Sequence, residues 1–312
     1  MDHLNYLFLL LAFPLAAGCS TAGKTTDTHQ AKLQNLTDSI TKITAEYPAE
    51  IGVAAIFNNN DTLLVNNRNI YPMMSVFKMH QAVAVCNDFD RRGDSLDSIL
   101  TFSRADLDPN TWSPMLKDHP EDEISLPVSE LLRYTLTQSD NNASNLMFDR
   151  LVNVLATDSL LATLIPRSSF RIAYTEHEMS ADHARAYTNS TSPLGAAILI
   201  NRLFNDSLVS RDKQQFITRT LGECTTGQDR IIAPLLGEKG VTVAHKTGSG
   251  YSEKGILAAH NDVAYIILPD SSSYSLAIFV KDFKGDEKDA AASIGRISQL
   301  IYNFFSKNRE RP

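Results

Sequence analysis

Apolar residues recur at helical spacing from Ala31 to Tyr47 (Leu33, Leu36, Ile40, Ile43), which predicts an amphipathic helix. The pattern then changes to β-like runs, Ile51 to Phe57 and Thr62 to Val65, joined by the turn-forming Asn58-Asn59-Asn60-Asp61. Near the other end, Val241 to Lys246, Ala258 to Leu268 and Tyr274 to Val280 are again β-rich, with Pro269-Asp270-Ser271 as a turn, before a second amphipathic helix from Ala290 to Phe305. The stretch between, roughly Pro72 to Arg219, reads as mainly helical, as in Val128 to Leu136, Asn145 to Leu155 and Pro193 to Phe204. Strands from both termini with helices between them predict an α/β (α+β) fold. In it, one antiparallel five-stranded sheet is flanked by the N- and C-terminal helices and carries an inserted helical lobe. The expected division is 31–70 plus 220–312 for the α/β lobe and 71–219 for the helical lobe. A cleft between two such lobes is a common place for a small-molecule site.

Composition narrows the class. The chain has 312 residues, 43% hydrophobic and 21% charged, with a net charge of -7 and no Lys/Arg cluster. That composition is ordinary for a globular protein and offers no basic field for nucleic acid. Tyr6 to Ala17 is almost wholly apolar, too short to span a bilayer but the right length for a signal-peptide core. Ala16-Ala17-Gly18-Cys19 then closes residues 1–19 in a way that resembles a bacterial lipobox, making Cys19 a candidate lipid anchor on an exported, periplasmic protein. Ser20 to about residue 30 reads as a polar tether. Of the three cysteines, Cys86 lies in an apolar run and is expected as a buried free thiol, while spacing alone says nothing of a pairing with Cys224. The eight histidines show no close pairs at ligand spacing, so no metal or other cofactor is expected.

Three short motifs carry chemistry. Ser75-Val76-Phe77-Lys78 follows Pro72 and precedes an apolar helical stretch, which puts the hydroxyl at a helix start and the amine one turn on, within reach of it. A serine hydroxyl needs such a neighbouring base to become a nucleophile, and free N–H groups at a helix start can stabilise an oxyanion. Ser139-Asp140-Asn141 follows a helix, and Lys246-Thr247-Gly248-Ser249-Gly250 ends a strand. Each alone is a common polar turn, cap or edge-strand charge.

Together, in this order and this widely spaced, Ser-x-x-Lys, Ser-Asp-Asn and Lys-Thr-Gly form the signature of class A β-lactamases and penicillin-binding proteins. The sequence resembles this superfamily over nearly all of the chain beyond Cys19. Within it, class A β-lactamases carry a glutamate on a loop between the second and third motifs that aims water at the acyl-enzyme. Tyr174-Thr175-Glu176-His177-Glu178-Met179 falls in that interval, and the resemblance points to Glu176, with Glu178 as the competing assignment. The Asn usual four residues later is Ser180 here. Trp112 resembles the aromatic residue at the mouth of class A sites. Thr225-Thr226-Gly227-Gln228-Asp229-Arg230 resembles a segment that supplies an arginine to the substrate carboxylate, with Lys254 as the rival. These segments look closest to the extended-spectrum and cephalosporinase subgroup.

The resemblance implies a serine β-lactamase, a hydrolase of cyclic amides acting in antibiotic resistance on penicillins and cephalosporins, monomeric and needing no cofactor. Ser75 would attack the lactam carbonyl, with Lys78 or Glu176 taking its proton. The backbone N–H groups of Ser75 and Ser249 would hold the oxyanion. Ser139 would pass a proton to the leaving nitrogen under the field of Lys246. Asn141 would orient Lys78 and the substrate side chain, while Thr247, Gly248, Ser249 and Arg230 would bind the substrate around its carboxylate. Two alternatives stand beside this: a D,D-peptidase on the same fold, and an exported ligand-binding lipoprotein without activity.

Overall fold

The computed structural model describes residues 22–57 and 61–307. The leader, the Cys19 lipobox and Asn58 to Asn60 of the expected turn therefore lie outside the described residues. From the N-terminal side come α1 (Ala22–Ala45), β1 (Glu50–Phe57), β2 (Asp61–Val65), β3 (Tyr71–Pro72) and α2 (Phe77–Arg92). The middle comprises β4 (Ile99–Ser103), α3 (Pro114–Asp118), β5 (Glu123–Pro127), α4 (Val128–Thr137), α5 (Asn141–Arg150) and α6 (Val154–Leu164). It continues with β6 (Phe170–Arg171), α7 (Glu176–Ala181), α8 (His183–Ala186), β7 (Ser190–Thr191), α9 (Pro193–Asn205) and α10 (Arg211–Gly222). The chain then returns through β8 (Thr242–Ser249), β9 (Ser252–Glu253), β10 (Ile256–Ile267), β11 (Ser273–Lys284) and α11 (Glu287–Lys307).

Five strands in the order β2-β1-β11-β10-β8 make the antiparallel sheet that the sequence predicts, and β9 adds a two-residue spur on β10. Both faces are covered. Val53, Ala264, Ile266, Ile278 and Val280 pack on one side with Ile40 of α1 and Ile294, Ile297 and Ile301 of α11. Ala54, Ala244, Val263, Ala277 and Phe279 pack on the other side in a cluster with Ala197 and Ile200 of α9. That double burial explains why these strands read as near-continuous apolar runs rather than as alternation.

Three local expectations differ from the structure. α1 begins at Ala22, inside the stretch read as a tether, because Thr, Lys and Gln can extend a helix whose later turns are anchored by packing. The helix expected from Asn145 to Leu155 is two, with a break at Leu151 to Asn153, where the Asn153 side chain caps α6. The middle also contains the β4–β5 hairpin, with Phe102 facing Ile124 across it.

Candidate active site

Ser75 sits in a 3-10 turn, Met74 to Val76, that runs into α2. Met74 just before it has φ of 46°, a left-handed conformation disfavoured for a non-glycine residue. Strand β8 presses on this turn from the other side: a Cβ on Gly248 would lie 2.3 Å from the Met73 carbonyl oxygen. Glycine at 248 is what lets the strand carrying Lys246 approach the turn carrying Ser75.

Lys78 is fully buried and its Nζ is surrounded by oxygen: Ser75 Oγ at 2.9 Å, the Ser139 carbonyl at 2.8 Å, Asn141 Oδ1 at 2.6 Å and Glu176 Oε1 at 2.8 Å. Ser75 Oγ in turn donates to Glu176 Oε1 at 2.9 Å, so both candidate bases contact the same hydroxyl. Across the cleft, Lys246, also fully buried, donates from Nζ to Ser139 Oγ at 2.9 Å and to the Thr247 carbonyl at 2.9 Å. Burial pushes its ammonium down to about 7.

The Ser139 turn is held open by its neighbour. Ser139 itself has φ of 61°. Asp140, buried, accepts from Ser113 Oγ at 2.9 Å, Met115 N at 2.8 Å and Ala143 N at 2.9 Å, which caps α5 and leaves Ser139 and Asn141 facing the cleft. Burial raises the Asp140 carboxyl above its ordinary range against these bonds.

The cleft, of about 480 Å³, is lined by Ser75, Ser139, Glu176, Thr226, Thr247 and Ser249, with Trp112, Asn141, Arg230 and Glu287 completing its wall. Trp112 stands at the mouth, 55% exposed, its Nε1 donating to the Gln138 carbonyl at 2.8 Å. Arg230 is buried under β8, donating to the carbonyls of Gly248 at 3.2 Å and Asn261 at 2.7 Å and to Ser249 Oγ at 2.5 Å. Burial lowers its proton affinity, and its Nε has no hydrogen-bond partner. Lys254 is 88% exposed and pairs with Glu253 at 3.7 Å, away from the cleft wall.

The sequence matches the model of the β-lactamase enzyme family over residues 35–305. The chain belongs to that family. A β-lactamase of Phocaeicola vulgatus is 61% identical over 297 residues, covering 95% of this chain and 92% of the relative. The extended-spectrum β-lactamase PER-1 of Pseudomonas aeruginosa is 33% identical, covering 86% and 87% of the two chains. Among solved structures, the TLA-1 extended-spectrum β-lactamase superposes with a TM-score of 0.84 at 31% identity, over 88% of this chain and 99% of that one. A class A β-lactamase from Bacteroides cellulosilyticus gives 0.84 at 29% identity, over 89% and 99%. The chain is a serine β-lactamase of the class A fold.

In this β-lactamase the two loop acids part company. Glu176 Oε1 points at Ser75 and Lys78, whereas Glu178 Oε2 accepts from Thr175 N at 2.9 Å as the third residue of a capping box on α7. Ser180 is exposed on the last turn of α7. Sequence reasoning passed over the residue that sets this loop. Asn189, fully buried, accepts on Oδ1 from Ala173 N at 2.8 Å and Tyr174 N at 3.0 Å and donates from Nδ2 to the Tyr174 carbonyl at 2.7 Å. Its own carbonyl accepts from Met73 N at 2.8 Å, so one residue ties the Glu176 segment to the Ser75 turn. Thr111, which accepts from Asn141 Nδ2 at 2.9 Å, was missed as well, and Thr226, quoted in the segment leading to Arg230 but given no role there, lies 2.6 Å from Thr247 Oγ1. Lone Thr and Asn residues in polar loops carry no spacing signal that could have singled them out.

Proposed function

We propose that this β-lactamase opens the lactam ring by acylating Ser75 and hydrolyses the ester with water activated by Glu176. The observation that carries the proposal is the shared contact of Lys78 and Glu176 with the Ser75 hydroxyl, opposite a serine held by a second buried lysine. Ser75 Oγ attacks the lactam carbonyl carbon while its proton passes to Glu176, which it already contacts, or to Lys78 in its neutral form. The oxyanion is received by the backbone N–H groups of Ser75 and Ser249; one such donor is worth about 3 kcal/mol of barrier. The C–N bond then breaks as Ser139 Oγ gives a proton to the nitrogen. The proton taken from Ser75 passes on by way of Lys78, which lies beside Glu176 and the Ser139 turn, to Ser139 Oγ under the field of Lys246, so that Glu176 is a carboxylate again.

Acylation removes the hydroxyl that occupied Glu176 Oε1. A water taking that place can lose its proton to the carboxylate as its oxygen attacks the ester, restoring Ser75 and releasing the ring-opened acid. The substrate carboxylate lies against Thr247 and Ser249. Because Ser249 Oγ accepts from Arg230, its own proton is free to point outward, so the guanidinium acts on the substrate through that hydroxyl. Trp112 offers a flat face at the mouth. The similarity to extended-spectrum enzymes supports cephalosporins as well as penicillins as substrates. The reading also includes a monomer exported to the periplasm, anchored by lipid at Cys19, with the helical lobe at 71–219 closing the cleft over the α/β lobe.

Glu176→Ala, mixed with a cephalosporin, should show a stable mass increase of one opened substrate per chain, with steady-state turnover reduced by about a thousandfold or more. Glu178→Ala should keep turnover within a few-fold of the parent. Normal turnover by Glu176→Ala would refute the role given to Glu176.

A further inference from the structure

Behind the cleft wall lies a buried chain of polar groups that the mechanism above does not use. Cys224, 7% exposed, follows α10 in the segment that carries Thr226 and Arg230. Its Sγ is 3.4 Å from Thr226 Oγ1, which is 2.6 Å from Thr247 Oγ1 on the cleft wall. The segment is fixed: Thr225 N and Oγ1 both donate to the Thr137 carbonyl, at 2.9 and 3.0 Å. Gly227, with φ of 69°, lies so close that a Cβ there would meet Thr247 Cγ2 at 2.4 Å.

His245, on β8 next to Lys246, has Nδ1 at 3.0 and 3.2 Å from the two oxygens of buried Asp262, and Asp262 Oδ2 also accepts from Ile231 N at 3.1 Å. The other ring nitrogen of His245, Nε2, is buried and makes no hydrogen bond. Cys224 is the neighbour whose proton affinity His245 lowers, and the thiolate in turn raises that of the ring.

A threonine hydroxyl has one proton, and this limits the chain to two arrangements. If Cys224 is a thiolate, it can only accept. Thr226 then donates to Sγ, the short contact to Thr247 must use the Thr247 proton, and Thr247 shows only lone pairs to the cleft. If Cys224 is a thiol, Thr226 is free to donate to Thr247, and the Thr247 proton can point at an anionic group in the cleft. We propose that Cys224 is a positioning residue of this enzyme: through Thr226 it sets the direction of the Thr247 hydroxyl and so the affinity for the substrate carboxylate.

The surroundings put the switch near neutrality. Burial opposes the thiolate, but His245 and then Lys246, both on β8, outweigh it and bring Cys224 down to about 7. Burial also opposes the His245 cation, yet Asp262 of β10 and then Cys224 raise it to about 10. Arg230 adds positive charge from the same segment, and the adjacent Glu223 is turned away, 2.8 Å from Arg133 of α4.

The inference rests on the assignment of Thr247 to the substrate carboxylate, and the experiment separates the two. kcat and KM are measured from pH 5.5 to 8.5 on a chromogenic cephalosporin and its carboxylate ester, with the parent, Cys224→Ser, Thr226→Val and the double variant. Lys246 titrates in the same range, and the Cys224 charge raises it, so its own rise of KM is read from Thr226→Val, which keeps the cysteine. The parent should show a further rise of about tenfold, the size expected of one hydrogen bond to a charged group, for the free carboxylate only. Cys224→Ser and Thr226→Val should each remove that further rise, and the double variant should add nothing. Ultraviolet absorbance of the parent minus Cys224→Ser should show a thiolate forming across the same range.

An unchanged KM profile in Cys224→Ser, or no thiolate signal, would overturn the inference. Persistence of the further rise in Thr226→Val would also overturn it, because the thiolate would then act as a field and not through the hydroxyls. Equal KM values for carboxylate and ester in the parent at low pH would overturn the assignment of Thr247 itself.

Discussion

Arg230 shows how far a residue's type determines its task. Its guanidinium spans two backbone carbonyls and the Ser249 hydroxyl at once, a fork that a single ammonium cannot reproduce. Arg230→Lys should therefore raise KM for carboxylate-bearing β-lactams by about tenfold, with a smaller effect on kcat, since the lost contacts hold a binding hydroxyl and not the reacting atoms. Steady-state kinetics on a cephalosporin and its ester check this, the ester being affected less. Glu176 and Glu178 make the same point from the other side. They are one chemical type two residues apart, but the capping box commits Glu178 to the backbone of α7 and leaves Glu176 for the cleft.

At the scale of elements, the site depends on how three short pieces of chain are tied together. Asp140 caps α5 and so holds Ser139 and Asn141 in place. Gly248 admits β8 to the Ser75 turn. Asn189 joins that turn to the segment entering α7. Asn189→Ala removes three buried hydrogen bonds and strands the backbone groups of Ala173 and Tyr174, so a stability loss of roughly 2–4 kcal/mol is expected. Urea denaturation measures that loss. Because the freed segment carries Glu176, deacylation should slow more than acylation, visible as a larger pre-steady-state burst. A uniform loss of both steps would show that Asn189 serves stability alone.

For the whole molecule, the buried histidines set the response to acid. His80 is fully buried with both ring nitrogens unpaired, and burial holds it down at about 4; His260 is similarly placed, at about 3. Both sit below the unfolded value, so the unfolded chain binds more protons as pH falls from about 6.5, and stability is lost progressively toward pH 4. For His80 the loss is roughly 3 kcal/mol. His245 has the opposite sign: its raised proton affinity contributes fully below pH 6.5 and fades only toward 10. His80→Leu should therefore leave the urea midpoint little changed at pH 7 and shrink the drop between pH 7 and 4.5. An equal drop in parent and variant would remove His80 from the account.

The sequence by itself determined the sheet, its flanking helices and the three motifs that meet in the cleft. Apolar periodicity reports burial directly, and Ser-x-x-Lys, Ser-Asp-Asn and Lys-Thr-Gly are contiguous strings whose chemistry is visible in the residue types. It also narrowed the loop base to two acids and the carboxylate partner to two cations, but went no further, because each choice turns on where a side chain points. The β4–β5 hairpin was illegible for a related reason: its strands are five residues each, and their pairing is across some twenty intervening positions. Only the tertiary structure decided that Glu176 faces Ser75, that Arg230 lies under β8 while Lys254 is in solvent, and that Asn189, Asp140 and Cys224 stand behind the site. Those decisions are made by contacts between residues far apart in the chain, and single buried polar side chains leave no periodic trace in the sequence.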